Sequence, residues 1–323
     1  MKYSVSVIIP IYNVAEYIER CAYSLFKQTL ASIEFIFVDD KSPDDSISRV
    51  EKILEGFSNR KNDVKIIRHG TNKGLPSARN SGLKVARGEY IFHCDSDDWI
   101  QMDAIEEMYN FIKSRDADII WTDFYYSLKD YELLAVQNLE GDKNVCIRAM
   151  MREGMHGAVW NKMYKRSLFS EYAIEFPDGV SMWEDLYTNI MLFYYGNKVA
   201  YFPKAFYHYN QCNSSSIGSG GYSDKKLKEI IINTDSIIDF LDRKQADVSE
   251  NDINMLKLAS KQTLLFTTDK SKFKEWTLLY PESNRNIMGY KSLPIHLRLL
   301  GWSSWKGLWF IVSLWTIIKK VKK

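Results

Sequence analysis

The first hundred residues alternate between short apolar runs and longer segments in which apolar residues recur with helical spacing. The apolar runs, each of strand length, cover residues 5–9, 34–38, 64–67 and 90–94. The helical segments between them cover residues 16–28, 47–57 and 75–86. This alternation predicts an α/β fold with a parallel sheet and helices on both faces. In such sheets, ligands bind beyond the carboxyl ends of the strands.

Polar residues follow three of the four predicted strands. These clusters are Tyr12-Asn13, Asp39-Asp40 and Asp95-Ser96-Asp97-Asp98. Because side chains alternate along an extended segment, those of Asp95 and Asp97 point the same way. Converging carboxylates repel each other, and a hard divalent cation that also carries phosphate oxygens relieves that repulsion. An Asp-rich turn alone also fits a solvated loop, but three polar clusters at neighbouring strand ends favour a shared cleft.

The charge balance argues against a general nucleic-acid binder. The chain has 323 residues, with 43 basic and 41 acidic side chains and a formal net charge of +2. Nucleic-acid binding needs a concentrated basic field, so we expect no nucleic-acid partner. The cysteines are Cys21, Cys94, Cys146 and Cys212. Their spacing is not that of a zinc site or a redox pair, which predicts reduced thiols in a cytosolic protein. Because Met1-Lys2 leads directly into the first predicted strand with no small-residue cleavage site, we expect no signal peptide.

The composition changes after a Ser/Gly-rich stretch at residues 214–221, which is typical of a linker or mobile loop. Apolar residues with helical spacing then cover residues 227–241, and Ser249 with Asp252 predicts a capping box at the start of another helix. The predicted parts are a catalytic α/β domain at residues 1–217, a helical domain at 218–290 and an amphipathic tail at 291–323.

The tail carries a tryptophan-rich apolar run that ends in lysines. Its residues of interest are Trp302, Trp305, Trp309, Trp315, Lys319, Lys320, Lys322 and Lys323. A membrane-spanning helix needs roughly 20 consecutive apolar residues, whereas Lys306 and several serines interrupt this run. Tryptophan and lysine are typical of a helix lying in the interface of an anionic bilayer. We expect peripheral attachment to the cytoplasmic side of the membrane; the alternative is a helix docked on the protein's own core.

Several motifs, taken together and in order, resemble the family 2 glycosyltransferases over about residues 3–217. They include Pro10-Ile11-Tyr12-Asn13, Val38-Asp39-Asp40-Lys41-Ser42-Pro43-Asp44, Ser77-Ala78-Arg79-Asn80, Asp95-Ser96-Asp97-Asp98, Trp160-Asn161-Lys162 and Trp183-Glu184-Asp185. The resemblance implies a GT-A fold, with a mostly parallel sheet sandwiched by helices and a C-terminal helical extension. Its nucleotide-sugar half would be about residues 1–100 and its acceptor half about 101–217. It also implies a nucleoside-diphosphate sugar, a divalent cation (Mn²⁺ or Mg²⁺) and inversion at the anomeric carbon.

The resemblance also implies roles for individual residues. The nucleotide-sugar-binding residues would be Pro10, Tyr12, Asn13, Asp40, Arg79, Asn80, Asp95 and Ser96. Asp97 is the implied metal ligand, and Asp98 is a second candidate. Asp185 is the implied base for the acceptor hydroxyl, and Glu184 would contact the acceptor. The other acceptor-binding residues would be Trp160, Asn161, Lys162 and Trp183.

Two positions depart from the family pattern. Lys41 stands where the family usually has Gly, which changes the turn after the second strand. Tyr209-Asn210 stands where many members have Tyr-Arg, which leaves open the residue that steadies the diphosphate. Asn210, His208 and the stretch at residues 214–217 are the alternatives, and His208 is also a candidate structural histidine or metal ligand.

The expected activity is transfer of a sugar from a UDP-sugar to a glycan hydroxyl, with a lipid-linked acceptor, in surface polysaccharide biosynthesis. One alternative is a sugar-phosphate nucleotidyltransferase. Those enzymes resemble one another in a Gly-rich, Arg-containing phosphate loop after the first strand. Residues 10–14 contain no Gly, which argues against this alternative. The other alternative is a non-catalytic nucleotide-sugar-binding subunit. The presence of Asp95, Asp97 and Asp185 argues against it.

Overall fold

The chain forms two compact units in the computed structural model, which describes residues 2–214, 216 and 221–321, with side chains up to residue 316. The first unit comprises Met1–Ile147 and His156–Ile217, and the second comprises Arg148–Met155 and Gly218–Lys323. The tail that the sequence sets apart at residues 291–323 thus belongs to the same unit as the helices before it.

A sheet of nine strands, counted within the described residues, organises the first unit. The strands are β1 Val5–Ile11, β2 Ile33–Asp39, β3 Val64–Arg68, β4 Tyr90–His93, β5 Trp99–Ile100, β6 Ile119–Ser127, β7 Glu132–Ala135, β8 Lys162–Lys165 and β9 Val199–Asn210. Their order is β3-β2-β1-β4-β8-β6-β9-β5, and β7 pairs with β6. Strands β1 to β4 are parallel, whereas β8 runs antiparallel to both β4 and β6. The mostly parallel sheet predicted from the sequence is confirmed.

Helices cover the sheet because its central strands are mostly apolar, with Ser6, Glu34 and Asp39 as the polar residues of β1 and β2. Every residue of β1 and β2 is buried, as expected for parallel strands packed on both faces. The helices of this part of the chain are α1 Ile18–Phe26, α2 Ser46–Glu55, α3 Leu75–Val85, α4 Ala104–Ser114, α5 Lys143–Met151, α6 Arg166–Glu171 and α7 Glu184–Tyr195. On one face, Phe26 of α1 packs edge-to-face on Phe35 and Phe37 of β2, with ring centroids 5.6 and 5.8 Å apart.

Helix α1 is shorter than the predicted segment at residues 16–28. The side chain of Gln28 explains its end, because Nε2 donates to the Gln101 carbonyl at 2.7 Å and Oε1 accepts from the Ile105 amide at 3.0 Å. These contacts draw the chain out of the helix towards the loop before α4. Helix periodicity alone does not contain this information, since the partners lie more than seventy residues away.

The second unit is helical, as the sequence predicts. Its helices are α8 Asp224–Arg243, α9 Glu250–Ser260, α10 Lys270–Leu278, α11 Ile295–Trp305 and α12 Trp309–Val321, with 3₁₀ turns at Gln262–Phe266 and Pro281–Gly289. The predicted capping box is confirmed at α9, where the Asp252 amide donates to Ser249 Oγ at 3.2 Å and the Ser249 amide donates to Asp252 Oδ2 at 2.8 Å. Phe273 and Trp276 of α10 are fully buried in this unit.

The tryptophan-rich run of the tail is two helices rather than one. Gly307 adopts φ +72°, a left-handed conformation that favours glycine and ends α11. On α12, Val312 is fully buried and the Trp315 ring contacts that of Phe273, 5.8 Å between centroids. Helix α12 therefore docks on the second unit's own core along one face.

The opposite face of α12 is apolar and exposed. Phe310 is 71% exposed and Leu314 is 60% exposed. Lys322 and Lys323 lie outside the described residues, as do residues 215 and 217–220 of the Ser/Gly-rich stretch, and the side chains of Lys319 and Lys320 are not described. Within the described part of the chain, none of the helices has both the length and the apolar character needed to span a bilayer.

Candidate active site

The predicted donor side of the candidate site begins where β1 and β2 end next to each other, with Ile11 opposite Asp39. Tyr12 follows β1 and is 49% exposed, which leaves its ring available to a ligand. The backbone of Asn13 adopts φ +54°, and its amide donates to Ser42 Oγ at 2.9 Å. Pro10 is buried inside β1, so Tyr12 and Asn13 are the exposed members of this motif.

Asp40 anchors the loop after β3. Its Oδ1 lies 2.6 Å from His69 Nδ1 and accepts from the Lys73 amide at 2.8 Å, and its Oδ2 accepts from the Gly74 amide at 2.7 Å. The other ring nitrogen of His69 lies 2.8 Å from Ser81 Oγ. Asp40 therefore shapes the predicted base-binding pocket by holding this loop, in addition to its predicted contact with the nucleotide.

Asp98 is held entirely by protein groups. It is fully buried, with Oδ2 accepting from the Tyr207 hydroxyl at 2.5 Å and Oδ1 accepting from the Asn210 amide at 2.8 Å. Tyr207 Oη also accepts from the Asp95 amide, at 3.0 Å. Asp98 was expected as a second metal ligand; since each oxygen already has a protein donor, we reassign it to positioning the loop. Ser96 is buried in the same loop.

Asp97 is a better candidate for a metal ligand than Asp98, because its side chain is only partly buried. Its Oδ2 accepts from Asn213 Nδ2 at 2.8 Å. Burial raises the pKa of Asp97 and the charge of Asp95 raises it further, so a bound cation would stabilise the ionised form. Within the described residues, no group of three or more His, Cys, Asp or Glu side chains is placed to hold a metal. A cation bound by one or two carboxylates and by substrate phosphates needs no such group.

A buried arginine joins the predicted donor and acceptor sides. The Arg79 side chain is 1% exposed, and its Nη2 donates to Asp95 Oδ1 at 2.9 Å. Its Nη1 donates to Glu184 Oε1 at 3.0 Å and to Asp185 Oδ1. Arg79 was expected to reach the nucleotide or its phosphates. In the structure its guanidinium binds three carboxylates, so it connects the loop after β4 to the start of α7.

The two carboxylates on α7 differ in exposure. The side chain of Asp185 is 18% exposed and that of Glu184 is 7% exposed. Burial raises the pKa of both carboxyls, and the positive charge of Arg79 opposes that rise. Asp185 Oδ2 also accepts from the Val159 amide at 3.2 Å. Asp185 is therefore the more accessible of the two groups and has a pKa above the ordinary aspartate value.

The Trp160-Asn161-Lys162 motif lies inside the protein and not on an acceptor surface. Trp160 is 3% exposed, and its ring stacks on Tyr207 at 4.4 Å between centroids. Asn161 donates to the Thr122 carbonyl at 3.0 Å. Lys162 donates to the carbonyls of residues 156 and 158 and to Asn161 Oδ1, at 2.8, 2.6 and 2.8 Å. Direct contact with an acceptor sugar, as expected for these three residues, is incompatible with this burial.

Burial lowers the pKa of Lys162 to about 7, although the charge of Asp185 opposes the effect. The motif therefore lies next to the site: the Val159 amide, just before the motif, donates to Asp185 Oδ2, and the charge of Asp185 acts on Lys162.

Trp183 and Asn80 occupy the segment that enters α7. Trp183 is partly exposed and adopts φ +64° as the cap of the helix, an uncommon conformation for a bulky residue. Asn80 is buried, with Nδ2 donating to the Phe176 carbonyl at 2.9 Å and Oδ1 accepting from the Phe176 amide at 2.8 Å. Asn80 thus fixes the chain before Trp183, whereas the side chain of Trp183 is partly exposed, as its predicted contact with an acceptor requires.

Two of the alternatives for the diphosphate contact are already engaged. His208 lies between the rings of Trp99 and Tyr125, each 5.0 Å from it between centroids, and its Nδ1 lies 2.8 Å from Glu132 Oε1. Asn210 Nδ2 donates to the Asp97 carbonyl at 3.2 Å. His208 is therefore a structural histidine here, as one interpretation of the sequence held.

Sequence reasoning missed two residues of the site, Tyr207 and Arg20. Tyr207 contacts both Asp95 and Asp98, and Arg20 stacks on Trp99, the residue after Asp98. The pairing of β5 with β9, which sets Trp99 opposite His208, brings these positions together. No local pattern marks that pairing, because β5 is only two residues long.

Comparisons with known proteins agree with this geometry. The family model "Glycosyl transferase family 2" matches residues 6–173. The chain is 32% identical over 214 residues to the uncharacterized glycosyltransferase EpsJ of Bacillus subtilis, covering 64% of this chain and 61% of EpsJ. It is 34% identical over 218 residues to the glycosyltransferase GlyA of Streptococcus pneumoniae, covering 64% of this chain and 30% of GlyA. The matches thus span about three fifths of EpsJ and under a third of GlyA.

Solved structures show the same fold. S. aureus TarS 1-349 in complex with UDP-GlcNAc superposes with a TM-score of 0.67 at 20% identity, covering 97% of this chain and 88% of the TarS 1-349 chain. The mannosyltransferase PcManGT from Pyrobaculum calidifontis, in complex with GDP-Man and Mn²⁺, gives a TM-score of 0.53 at 17% identity, covering 99% and 85%. The family match covers more than half of the chain. The protein has the GT-A fold and belongs to glycosyl transferase family 2.

Proposed function

We propose that the protein is an inverting glycosyltransferase that moves a sugar from a UDP-sugar to a hydroxyl of a glycan acceptor. The observation that carries this proposal is the Arg79 cluster, which links Asp95 of the donor loop to Glu184 and Asp185 at the start of α7. One buried cation thus holds carboxylates from both proposed substrate sides close together. This arrangement is expected for an enzyme that transfers a group directly from one bound substrate to another. TarS, which shares the fold, was solved with UDP-GlcNAc, and this supports the choice of a UDP-sugar.

Asp185 is the proposed base. The acceptor oxygen bonds to the anomeric carbon as the bond from that carbon to the diphosphate oxygen breaks, the hydroxyl proton passes to Asp185, and UDP leaves. Attack from the face opposite the leaving group inverts the configuration. A raised pKa makes Asp185 a stronger base at neutral pH than an ordinary aspartate. Glu184, which is less exposed, is proposed to orient the acceptor together with Trp183.

The nucleotide is proposed to bind along the ends of β1, β2 and β4. Tyr12 offers a ring face to the base, and Asp40 holds the loop beside it. Asp95 is proposed to contact the ribose, and Asp97 to hold Mn²⁺ or Mg²⁺. When bound there, the divalent cation supplies positive charge that neutralises the diphosphate leaving group.

Helix α12 is proposed to attach the protein to an anionic membrane surface. Phe310 and Leu314 project from the face of α12 that the second unit does not cover, and lysines follow in the sequence. Exposed apolar residues next to a lysine cluster suit an interfacial helix. Peripheral attachment at the cytoplasmic face would bring the site to a lipid-linked glycan, as needed for surface polysaccharide biosynthesis.

Acceptor-dependent release of UDP tests the proposal. The full chain is incubated with Mn²⁺, a panel of UDP-sugars and lipid-linked or free glycan acceptors, and UDP is measured with and without acceptor. We expect release that depends on acceptor and disappears in Asp185→Asn. Release of pyrophosphate from a nucleoside triphosphate would favour a nucleotidyltransferase instead. Binding of UDP-sugar without release under any condition would favour a non-catalytic subunit.

A further inference from the structure

Arg20 forms a close stack beside the aspartate-rich loop. It lies on α1, where its side chain is exposed, and its guanidinium carbon is 3.2 Å from the centroid of the Trp99 ring. Within the described part of the chain, no carboxylate is in ion-pair distance of this guanidinium. A cation over an indole face at this distance gains electrostatic stabilisation, so the side chain is held in place.

The stack continues into the sheet through two further aromatic rings. The Trp99 ring is nearly parallel to that of His208, 9° between planes, and the His208 ring is 20° from that of Tyr125. Glu132 fixes the histidine from the side through Nδ1. Arg20 therefore caps a column of three rings that starts on β6 and β9, and its position is set by the sheet and not by a flexible loop.

The charge of Arg20 acts on the carboxylates that follow β4. Trp99 comes directly after Asp98, so the stacked guanidinium lies next to the loop. Burial lowers the pKa of Arg20 and the negative charge of Asp98 opposes that change, while Arg20 in turn opposes the rise in the pKa of Asp97. Arg20 is thus electrostatically coupled to the proposed metal ligand.

Two other cations near the site, Arg79 and Lys162, are already bound to protein groups. The Nη atoms of Arg79 donate to three carboxylates, and Lys162 donates to two carbonyls and Asn161. Arg20 differs because a guanidinium that stacks through its face keeps the N–H groups of its edge free for an anion. Such charge-assisted hydrogen bonds to phosphate are stronger than neutral ones.

We propose that Arg20, fixed by its stack on Trp99, is the cationic contact of the donor's diphosphate. Many family members have arginine where this chain has Asn210, and that difference leaves open which residue steadies the diphosphate. Arg20 would make this contact. The proposal rests on the proposed function, since it assumes that a nucleoside diphosphate binds along β1, β2 and β4. It makes Arg20 a group that binds the leaving group, with Trp99 as its positioning residue.

The test compares ligands that differ only in phosphate. Uridine, UMP and UDP are titrated by calorimetry, with and without Mn²⁺, into the full-length protein and into Arg20→Ala, Arg20→Lys and Arg115→Ala. Arg115 is the matched control, because its exposed guanidinium lies 5.3 Å from the Phe111 ring at the end of α4, and α4 ends shortly before the first residue of β6. We expect Arg20→Ala to weaken UDP binding about tenfold or more and to leave uridine binding unchanged.

Arg20→Lys should weaken UDP binding less than Arg20→Ala does, because lysine keeps the charge and loses the planar fork. Arg115→Ala should bind every ligand like the unmodified protein. Equal losses for uridine and UDP in Arg20→Ala, or no loss for either, would overturn the role and leave the column as a purely structural feature. If the unmodified protein binds neither uridine nor UDP, the proposed function itself fails, which is a different outcome from an unchanged Arg20→Ala variant.

Discussion

Arg79 and Asp95 form an ion pair in the interior of the site, with Nη2 of the arginine 2.9 Å from Oδ1 of the aspartate. The same guanidinium also binds Glu184 and Asp185, which are more than a hundred residues away in the sequence. This pair therefore ties the end of β4 to the start of α7. The carboxylates of the two proposed substrate sides cannot move independently while Arg79 holds them.

Arg79→Ala should destabilise the first unit strongly. Removing one member of a buried ion cluster leaves the other charges uncompensated, which costs about 3–5 kcal/mol. Urea unfolding of the variant and the unmodified protein at neutral pH measures the loss. Arg49→Ala is the control, because Arg49 pairs with Asp45 and Glu19 on the surface, where ion pairs contribute little. It should unfold at nearly the same urea concentration as the unmodified protein.

The loss in Arg79→Ala should shrink at acidic pH. Without the arginine, burial holds the pKa values of Glu184 and Asp185 even further above those of the unfolded chain. The unfolded variant then loses its protons first as the pH rises, so the variant's stability falls from about pH 4 upward. A deficit that is the same at pH 4 and pH 7 would contradict the charge cluster as its cause.

Asp185→Asn should abolish most of the transfer while keeping donor binding. General-base catalysis contributes about 10²–10⁴-fold, and the substitution removes proton acceptance with little change in volume. The rate should fall at least about 10²-fold under saturating substrates. A calorimetric titration with UDP should give the same affinity as the unmodified enzyme. If the main defect is instead in UDP binding, Asp185 belongs to the donor side.

The rate of the unmodified enzyme should fall on acidification through a pKa above the ordinary aspartate value of 3.8. Burial raises the pKa of Asp185, and a base acts only when ionised, so activity is retained above that pKa and lost below it. The measurement is kcat against pH under saturating donor and acceptor. A flat profile down to pH 4 would show that no group with a raised pKa acts as the base.

Asp97→Asn and Asp98→Ala should fail in different ways. Asp97→Asn should lose the Mn²⁺-dependent part of UDP binding and keep its melting temperature, because its side chain has only Asn213 as a side-chain donor among the described contacts. Asp98→Ala should lower stability by about 1–3 kcal/mol, because the Tyr207 hydroxyl and the Asn210 amide lose their acceptor. Thermal melts with and without Mn²⁺ and UDP separate the two effects. An Asp97→Asn variant that Mn²⁺ and UDP still stabilise normally would refute the metal assignment.

Membrane attachment should depend on the exposed face of α12. Phe310→Glu with Leu314→Glu places two charges on that face without touching buried Val312, so the fold should persist. Co-sedimentation with anionic vesicles at low salt should fall sharply for this variant. Leu278→Glu is the control, because Leu278 is a 69% exposed apolar residue of the same unit outside α12. Sedimentation of the double variant at the level of the control would assign α12 a purely structural role.

The sequence by itself determined the order of β1 to β4 and α1 to α3, whereas the two-residue strand β5 was not predicted. Those elements follow from local periodicity, since residues two apart share a face of a strand and residues three or four apart share a face of a helix. The carboxyl ends of parallel strands lie together, so the sequence also predicted that Tyr12, Asp40 and Asp97 lie close to one another beyond those ends. The capping box of Ser249 and Asp252 was equally predictable, because its partners are three residues apart.

Only the tertiary structure decided how the remaining site residues are used. By its chemistry, a tryptophan such as Trp160 can stack on a sugar ring or pack in a protein core. The structure shows that Trp160 packs in the core, against Tyr207 and Phe124. Arg79 and Asp98 likewise bind partners over a hundred residues away. Such contacts arise when β8 and β9 join the sheet and α7 packs against it. Local periodicity carries no signal for pairings at that separation, because nothing within one helix or strand depends on them.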